Sequence, residues 1–341
     1  MLIVMRQGCT DRETDRVLQR IAELGWSGHA LVLGDRRVVG ASTPEGVPDP
    51  TELEGLDGID RVVPVEKPYT LASREARSER SRIRIGDTLV GGPAPVIIAG
   101  PCAVEDEAAL ADLAIELREH GADVLRAGAF KPRTSPYSFQ GLGMRGLEIL
   151  ARVRDRCGLP VITEALDDES LAGALEFADI LQVGARNMQN YALLRKAGRG
   201  GKPVFIKRGM TATMEDLLLA AEYVLSEGNP EVMVCERGIR TFSDHSRFTL
   251  DLSIVPALRE VSHLPVFVDP SHGTGERTRV TAMALAAIAA GVDGVMVEVH
   301  ADPARALSDG RQALLPAEFA ELVTKIRELS TVLAPRGEVV P

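Results

Sequence analysis

Three observations predict an α/β chain in which a closed (β/α)8 TIM barrel follows a small α+β domain of ferredoxin-like order. Eight short apolar runs recur from residue 95 onward, helical patterns lie between them, and the first 66 residues follow a different, mixed pattern. The boundaries predicted are 1–66 for the small domain, 67–94 for a linker and barrel-bottom segment, and 95–334 for the barrel.

In the first domain, Leu2-Ile-Val-Met5 reads as a strand. Thr10-Asp-Arg-Glu13 has the spacing of a capping box opening an amphipathic helix to about Leu24. His29–Leu33 and Arg37–Val39 flank Gly34-Asp35, a hairpin pattern. A short helical piece near Leu53 and a strand over Asp60–Val65 complete the order β-α-β-β-α-β. The polar stretch Ser73–Ser81 then reads as a link, with a solvated helix as the alternative.

The eight runs are Val96–Ala99, Val124–Leu125, Val161–Thr163, Ile180–Val183, Val204–Ile206, Val232–Val234, Val266–Val268 and Gly294–Val297. Four begin directly after a proline, at 95, 160, 203 and 265, as though closing an α-β loop. Near-continuous apolar runs suit parallel strands buried on both faces. Helical patterns such as Ala108–His120, Glu215–Ser226 and Arg279–Ala290 separate them. Eight β-α units point to a barrel. A doubly wound sheet is the alternative, but no Gly-x-Gly-x-x-Gly follows the first run.

Composition narrows the function classes. A hydrophobic share of 45% and a charged share of 26% suit a globular protein. The net charge of -10 argues against non-specific nucleic-acid binding and against docking on an anionic membrane. No apolar run nears the roughly 20 residues that span a bilayer, and Met1–Arg6 lacks a signal-peptide pattern. The cysteines at 9, 102, 157 and 235 have neither disulfide-framework nor zinc-knuckle spacing, so a reducing cytoplasm is the expected location.

The chemistry gathers where strands are predicted to end. Leu125–Gly143 runs an apolar strand into Arg126, Lys131 and Arg133, and Arg186, Lys207 and Arg237 follow later runs in the same way. In a barrel these positions share the C-terminal mouth. A single buried cation is usually a structural ion pair, and Glu164 and Glu236 are available partners. Several cations converging on one mouth repel one another and call for an anion, with phosphate and carboxylate the natural choices. Cys102, His272, Glu298 and Asp309 belong to the same predicted face. Thiolate, imidazole and carboxylate donors suit a borderline divalent ion such as Mn²⁺, Fe²⁺, Co²⁺ or Zn²⁺. Singly, Cys102 reads as packing, His272 as a loop histidine and Asp309 as a turn cap. His300 is the rival ligand, and Cys235 reads as packing.

The motifs Ala99-Gly-Pro-Cys102, Lys131-Pro-Arg-Thr-Ser-Pro-Tyr-Ser-Phe-Gln-Gly141, Gly184-Ala-Arg-Asn187, Cys235-Glu-Arg-Gly238, Asp269-Pro-Ser-His272 and Leu307-Ser-Asp-Gly310 resemble those of 3-deoxy-D-arabino-heptulosonate 7-phosphate (DAHP) synthases of type I-beta. The resemblance covers essentially the whole chain. It implies condensation of phosphoenolpyruvate with erythrose 4-phosphate, with release of phosphate. It implies a phosphoenolpyruvate site from Arg126, Lys131, Arg186, Lys207 and Arg237, and a sugar-phosphate site beside Arg133, Thr134 and Ser135. The metal ligands implied are Cys102, His272, Glu298 and Asp309, with Mn²⁺ the leading ion. Lys131 is a candidate proton donor alongside the catalytic Cys102 and His272, and Glu236 a candidate for orienting water. Synthases of 3-deoxy-D-manno-octulosonate 8-phosphate, which use arabinose 5-phosphate, share the barrel and the Gly-Pro-Cys segment. They carry an Ala-Asn-Arg-Ser type sequence where this chain has Lys131-Pro-Arg-Thr134. A barrel that has lost catalysis and serves as an amino-acid sensor for chorismate mutase is a further alternative, disfavoured by the intact cations and ligands.

The resemblance also implies that residues 1–66 bind tyrosine or phenylalanine and close the mouth within a homotetramer. His29 is the candidate inhibitor contact, and Leu31 stands where relatives can carry a small hydroxyl residue. A separate chorismate mutase is the implied protein partner.

Overall fold

The structure, a computed structural model, describes residues 1–33, 36–43, 49–53, 55–63, 68–133 and 135–333. The first domain runs β1 (Leu2–Met5), α1 (Asp11–Glu23), β2 (Ser27–Leu33), β3 (Arg36–Ser42), a single 3-10 turn at Pro50–Leu53, and β4 (Ile59–Val63). Thr10 caps α1 through the predicted capping box, its side chain accepting from the Glu13 amide while the Glu13 carboxylate accepts from the Thr10 amide. The antiparallel sheet has the order β2-β3-β1-β4, the arrangement that β-α-β-β-α-β connections produce. Side chains along β1 alternate between two cores. Ile3 and Met5 join Val17 and Ile21 of α1, while Leu2 and Val4 join Tyr69, Leu71 and the outer barrel core. The proposed hairpin turn at Gly34-Asp35 and the end of the fourth strand at Pro64-Val65 lie outside the described residues.

Residues 68–82 form neither helix nor strand, so the solvated-helix reading of Ser73–Ser81 is not met. The Glu222 carboxylate accepts from the backbone amides of Thr70 (3.0 Å), Leu71 (2.7 Å) and Ala72 (2.9 Å). His263, fully buried, meets the Leu71 carbonyl through Nε2 (2.7 Å) and Ser81 Oγ through Nδ1 (2.8 Å). A carbonyl only accepts, so Nε2 carries the proton and Nδ1 accepts from the serine hydroxyl. A hairpin absent from the sequence reading follows, β5 (Ile83–Ile85) with β6 (Thr88–Val90).

The barrel then alternates β7 (Val96–Gly100), α2 (Glu107–Glu119), β8 (Val124–Arg126), α3 (Met144–Cys157), β9 (Val161–Ala165), α4 (Asp168–Phe177), β10 (Ile180–Val183), α5 (Tyr191–Arg199), β11 (Val204–Lys207), α6 (Met214–Leu225) and β12 (Val232–Glu236). It continues through α7 (Ile254–Val261), β13 (Val266–Val268), α8 (Pro270–Thr274), α9 (Arg277–Ala290), β14 (Gly294–Glu298) and α10 (Pro316–Leu333). All eight predicted runs become parallel strands, and β14 closes on β7 with Glu298 opposite Gly100. The strands outrun the apolar segments at their C-terminal ends, taking in Arg126, Glu164, Lys207, Glu236 and Glu298.

Inside the barrel, Ile98, Val124, Ile162, Ile180, Phe205, Met233, Cys235, Phe267 and Met296 pack into one cluster. Phe205 and Phe267 meet edge to face at 5.2 Å, each burial worth roughly 1.5–3 kcal/mol. Gly294 leaves room for that layer, because a Cβ there would stand 2.3 Å from the Phe267 ring. Ile83, Ile85 and Val90 of the hairpin complete the cluster at the bottom. The bottom is thus plugged by apolar side chains, and the cations that end the strands are at the opposite end.

Burial, with Arg77 and Arg74 nearby, pushes His263 down to about 4. The unfolded chain therefore takes up a proton near pH 6.5 that the folded chain refuses until about pH 4, so stability falls as pH drops through that window. The loss is roughly 3 kcal/mol. Urea unfolding at pH 7 and pH 4.5 is expected to show a smaller acid penalty for His263→Gln than for the parent. Equal penalties would contradict a neutral buried His263.

Candidate active site

The C-terminal mouth holds two adjoining cavities. Arg126, Lys131, Glu164, Gln182, Arg186, Lys207 and Arg237 line the deeper one. Arg133, Ser135, Ser138 and Asp309 line the outer one. Lys131, Glu164, Arg186, Arg237, Arg247 and His272 border both. Apart from Glu236 and the rival ligand His300, every predicted site residue that the structure describes at the barrel mouth is at these cavities or in the donor group beside them. Thr134 lies outside the described residues. His29 is elsewhere, exposed on the edge strand β2, and Leu31 is packed in the core rather than open to a ligand.

Four cations of the mouth are buried, Arg126, Lys131, Lys207 and Arg237, whereas Arg186 is exposed at the rim. Arg126 pairs with Glu298, and Lys207 with Asp269. Burial works against the Arg126 charge, but Glu298, Cys102 and Asp269 outweigh it and raise its pKa. Lys131 Nζ lies 2.9 Å from both the carbonyl oxygen and Sγ of Cys102. Arg237 lacks such support. Its guanidinium stacks on Phe248 at 4.4 Å, its Nη1 is buried without a hydrogen-bond partner, and burial lowers its pKa. Arg126 Nε is likewise buried and unpartnered. Such groups are costly unless an anion completes them.

Glu164, on β9, accepts from Gln182 Nε2 at 3.1 Å and faces the cations. Gly184 leaves the Glu164 carboxylate its place, since a Cβ would stand 1.9 Å from Oε1 and the side chain would have to shift. Glu236 does not line the cavities. It is fully buried, accepting from Arg208 (2.8 Å) and from the Gly238 amide. The expected role of Glu236 in orienting water is therefore corrected: its oxygens already serve a structural ion pair.

Cys102, His272, Glu298 and Asp309 each place a ligand atom within 4.8 Å of the other three. Cys102 Sγ is 3.2 Å from Asp309 Oδ2, and His272 Nε2 is 3.4 Å from Glu298 Oε1. His272 Nδ1 donates to Asp269 Oδ2 at 2.7 Å, which turns Nε2 toward the other donors. Burial opposes the charge on Asp269, but His272 and Lys207 outweigh it and hold its carboxyl well below the ordinary range. Burial, assisted by Glu298, pushes the Cys102 thiol up to about 12, so it deprotonates only as a cation arrives. Burial also opposes the Asp309 charge, yet His272 and Arg247 hold that carboxyl at about 2. A mixed S, N and O set of this size fits a borderline divalent ion. His300 is not in the group; its Nε2 lies 3.6 Å from Glu105.

Arg247, Phe248 and Gln312 were not found from sequence. Arg247 and Phe248 sit in an irregular loop with no periodicity, whereas Gln182, a lone polar residue within Ile-Leu-Gln-Val, was a readable signal.

Fold and mouth together describe a TIM barrel that gathers cations at its C-terminal end beside four donors able to hold a divalent ion. A model of the DAHP synthetase I family matches residues 71–334, and the DAHP synthase ferredoxin-like domain matches residues 1–67. The chain belongs to the DAHP synthetase I family, which is metal-dependent. It is 46% identical over 333 residues to the phospho-2-dehydro-3-deoxyheptonate aldolase of Thermotoga maritima, covering 98% of each chain. The crystal structure of the Thermotoga maritima DAHP synthase aligns with a TM-score of 0.78 at 45% identity, again over 98% of each chain. A 2-dehydro-3-deoxyphosphooctonate aldolase of Syntrophotalea carbinolica is 38% identical over 251 residues, which are 68% of this chain and 90% of its own. No described helix is long and apolar enough to cross a membrane.

Arg237→Met is expected to raise the thermal midpoint of the ligand-free protein by about 2–4 °C, as removal of an uncompensated buried charge worth about 1 kcal/mol would. The same change is expected to raise KM for phosphoenolpyruvate at least tenfold. A lower midpoint with unchanged KM would identify Arg237 as a structural cation.

Proposed function

We propose that the barrel mouth is the catalytic site, with Arg126, Lys131, Arg186, Lys207 and Arg237 holding phosphoenolpyruvate. Arg133 and Ser135 line the outer cavity, and these two together with Thr134 are the residues proposed to take the phosphate of the aldose. The reaction is the condensation of phosphoenolpyruvate with D-erythrose 4-phosphate and water to 3-deoxy-D-arabino-heptulosonate 7-phosphate and phosphate, which opens the shikimate pathway. The observation that carries the residue assignment is that two of the three buried, unpartnered guanidinium nitrogens among the described residues, Arg126 Nε and Arg237 Nη1, belong to residues lining this mouth.

The residues supply positioning and charge. Phosphoenolpyruvate brings a phosphate and a carboxylate, and prepaid cations hold both without reorganising during reaction. C3 attacks the aldehyde carbon, forming the new C–C bond while the aldehyde oxygen takes a proton. Lys131 is the donor proposed, its ammonium beside Cys102. C2, left electron-poor, adds water, and that water gives up a proton. Glu164, bordering both cavities, is the carboxylate proposed to orient it. Cleavage of the C2–O bond then releases phosphate. Cys102, His272, Glu298 and Asp309 would hold the divalent ion, Mn²⁺ ahead of Fe²⁺, Co²⁺ or Zn²⁺. When bound, that ion supplies Lewis-acid polarisation of the aldehyde.

Residues 1–66 are proposed to bind tyrosine or phenylalanine in a homotetramer, with His29 as a contact and chorismate mutase as a further partner. The match of a ferredoxin-like domain supports this, as does the exposure of His29.

Purified protein is expected to release phosphate from phosphoenolpyruvate with erythrose 4-phosphate, to stop on chelation, and to recover with Mn²⁺. Release with arabinose 5-phosphate alone would overturn the substrate assignment. Tyrosine or phenylalanine is expected to inhibit the same assay below millimolar concentration; no inhibition by either would retire the regulatory reading.

A further inference from the structure

Beyond the four donors, two side chains from different loops meet their carboxylates. Gln312, 2% exposed, donates from Nε2 to Glu298 Oε2 at 2.7 Å. Its Oε1 accepts from Arg247 Nη1 at 3.0 Å, and the same Nη1 lies 3.3 Å from Asp309 Oδ1. One guanidinium thus touches one donor carboxylate directly and a second through an amide.

The chemistry of the three groups permits one arrangement only. A carboxylate accepts, a guanidinium donates, and an amide has one end of each kind. Only with its NH₂ toward Glu298 and its carbonyl toward Arg247 does Gln312 satisfy both neighbours. Without Arg247 the amide carbonyl has no fixed donor, and a flipped amide would set oxygen against oxygen at Glu298.

The backbone around both residues is held for this contact. Asp309 has φ 52°, the one left-handed non-glycine residue among those described. Such a conformation costs about 1–3 kcal/mol and persists only where its surroundings impose it. Gln312 N donates to the Asp309 carbonyl at 3.1 Å, tying the amide to that turn. Across the cavity, the amides of Arg247 and Phe248 donate to the carbonyls of Thr274 (3.1 Å) and Gly273 (3.0 Å) on the His272 segment. The Arg247 guanidinium also packs 5.7 Å from the Phe248 ring centre.

We propose that Arg247 and Gln312 are positioning residues, a relay that fixes the amide of Gln312 and so holds the Glu298 and Asp309 carboxylates in ligating orientation. The proposal rests on reading Cys102, His272, Glu298 and Asp309 as the metal site. Arg247 is a cation beside a site for a cation, so charge alone predicts that removing it tightens metal binding. Orientation predicts the reverse. The sign of the effect separates them.

The test is titration of the metal-free, full-length protein with Co²⁺, read by the thiolate-to-cobalt charge-transfer band and the visible d–d bands. The parent is expected to show both. Arg247→Ala and Gln312→Leu are each expected to weaken Co²⁺ binding about 10- to 100-fold, the usual cost of losing a group that orients a ligand. The double variant is expected to be no weaker than the poorer single variant, because both changes break one relay. Arg247→Ala is on an exposed loop and keeps the test informative if Gln312→Leu misfolds. Binding by Arg247→Ala as tight as the parent's, or tighter, overturns the relay alone, as do additive losses. A parent with no thiolate band overturns the metal-site reading beneath it.

Discussion

The mouth of this barrel is organised around buried positive charge with too little negative charge of its own to match it. Arg126 and Lys207 have carboxylate partners, Lys131 has a carbonyl and a thiol, and Arg237 has an aromatic face and an unpartnered nitrogen. Charges in that state destabilise a fold unless a ligand completes them. A closed sheet with a packed interior tolerates the strain, because Arg126, Lys207 and Arg237 stand at or next to strand ends fixed by registers on both sides. The bottom hairpin closes the interior with Ile83, Ile85 and Val90, so the open mouth is at the other end.

The cation grip and the donor group are one network. Arg126 pairs with Glu298, a donor. Lys207 pairs with Asp269, which accepts a hydrogen bond from His272 Nδ1 and turns its Nε2 to the other donors. Anything that displaces the cations of the mouth therefore disturbs the donors as well. Electrostatic preorganisation of this kind is how a rigid site lowers a barrier without moving at the moment of reaction.

Much of this was legible in the sequence. Parallel strands buried on both faces must be continuous apolar runs, so all eight were visible, and the residue ending each run fell at the mouth by topology alone. Arg126, Lys207 and Glu298 were found for that reason. The hairpin at 83–90 was not, because Ile83, Ile85 and Val90 are too few to distinguish a strand pair from a coil. Residues 73–81 were ambiguous because what holds that stretch and the turn before it is remote: Ser81 meets His263, and Glu222 captures the amides of residues 70–72, pairings about 150 to 190 positions apart. Glu236 was misread for a similar reason, since its neighbour Arg237 suggested the mouth while its side chain turns to Arg208. Arg247 and Gln312 were invisible because their meaning is the contact between two loops.

The orphaned nitrogens of Arg126 and Arg237 are proposed to receive phosphoenolpyruvate. A crystal structure of the full chain soaked with phosphoenolpyruvate tests it most directly. One molecule is expected in the deeper cavity, with its anionic groups on Arg126, Arg186, Lys207 and Arg237 and the orphaned nitrogens of Arg126 and Arg237 filled. Phosphoenolpyruvate bound elsewhere, with Arg237 Nη1 still unpartnered, would contradict it.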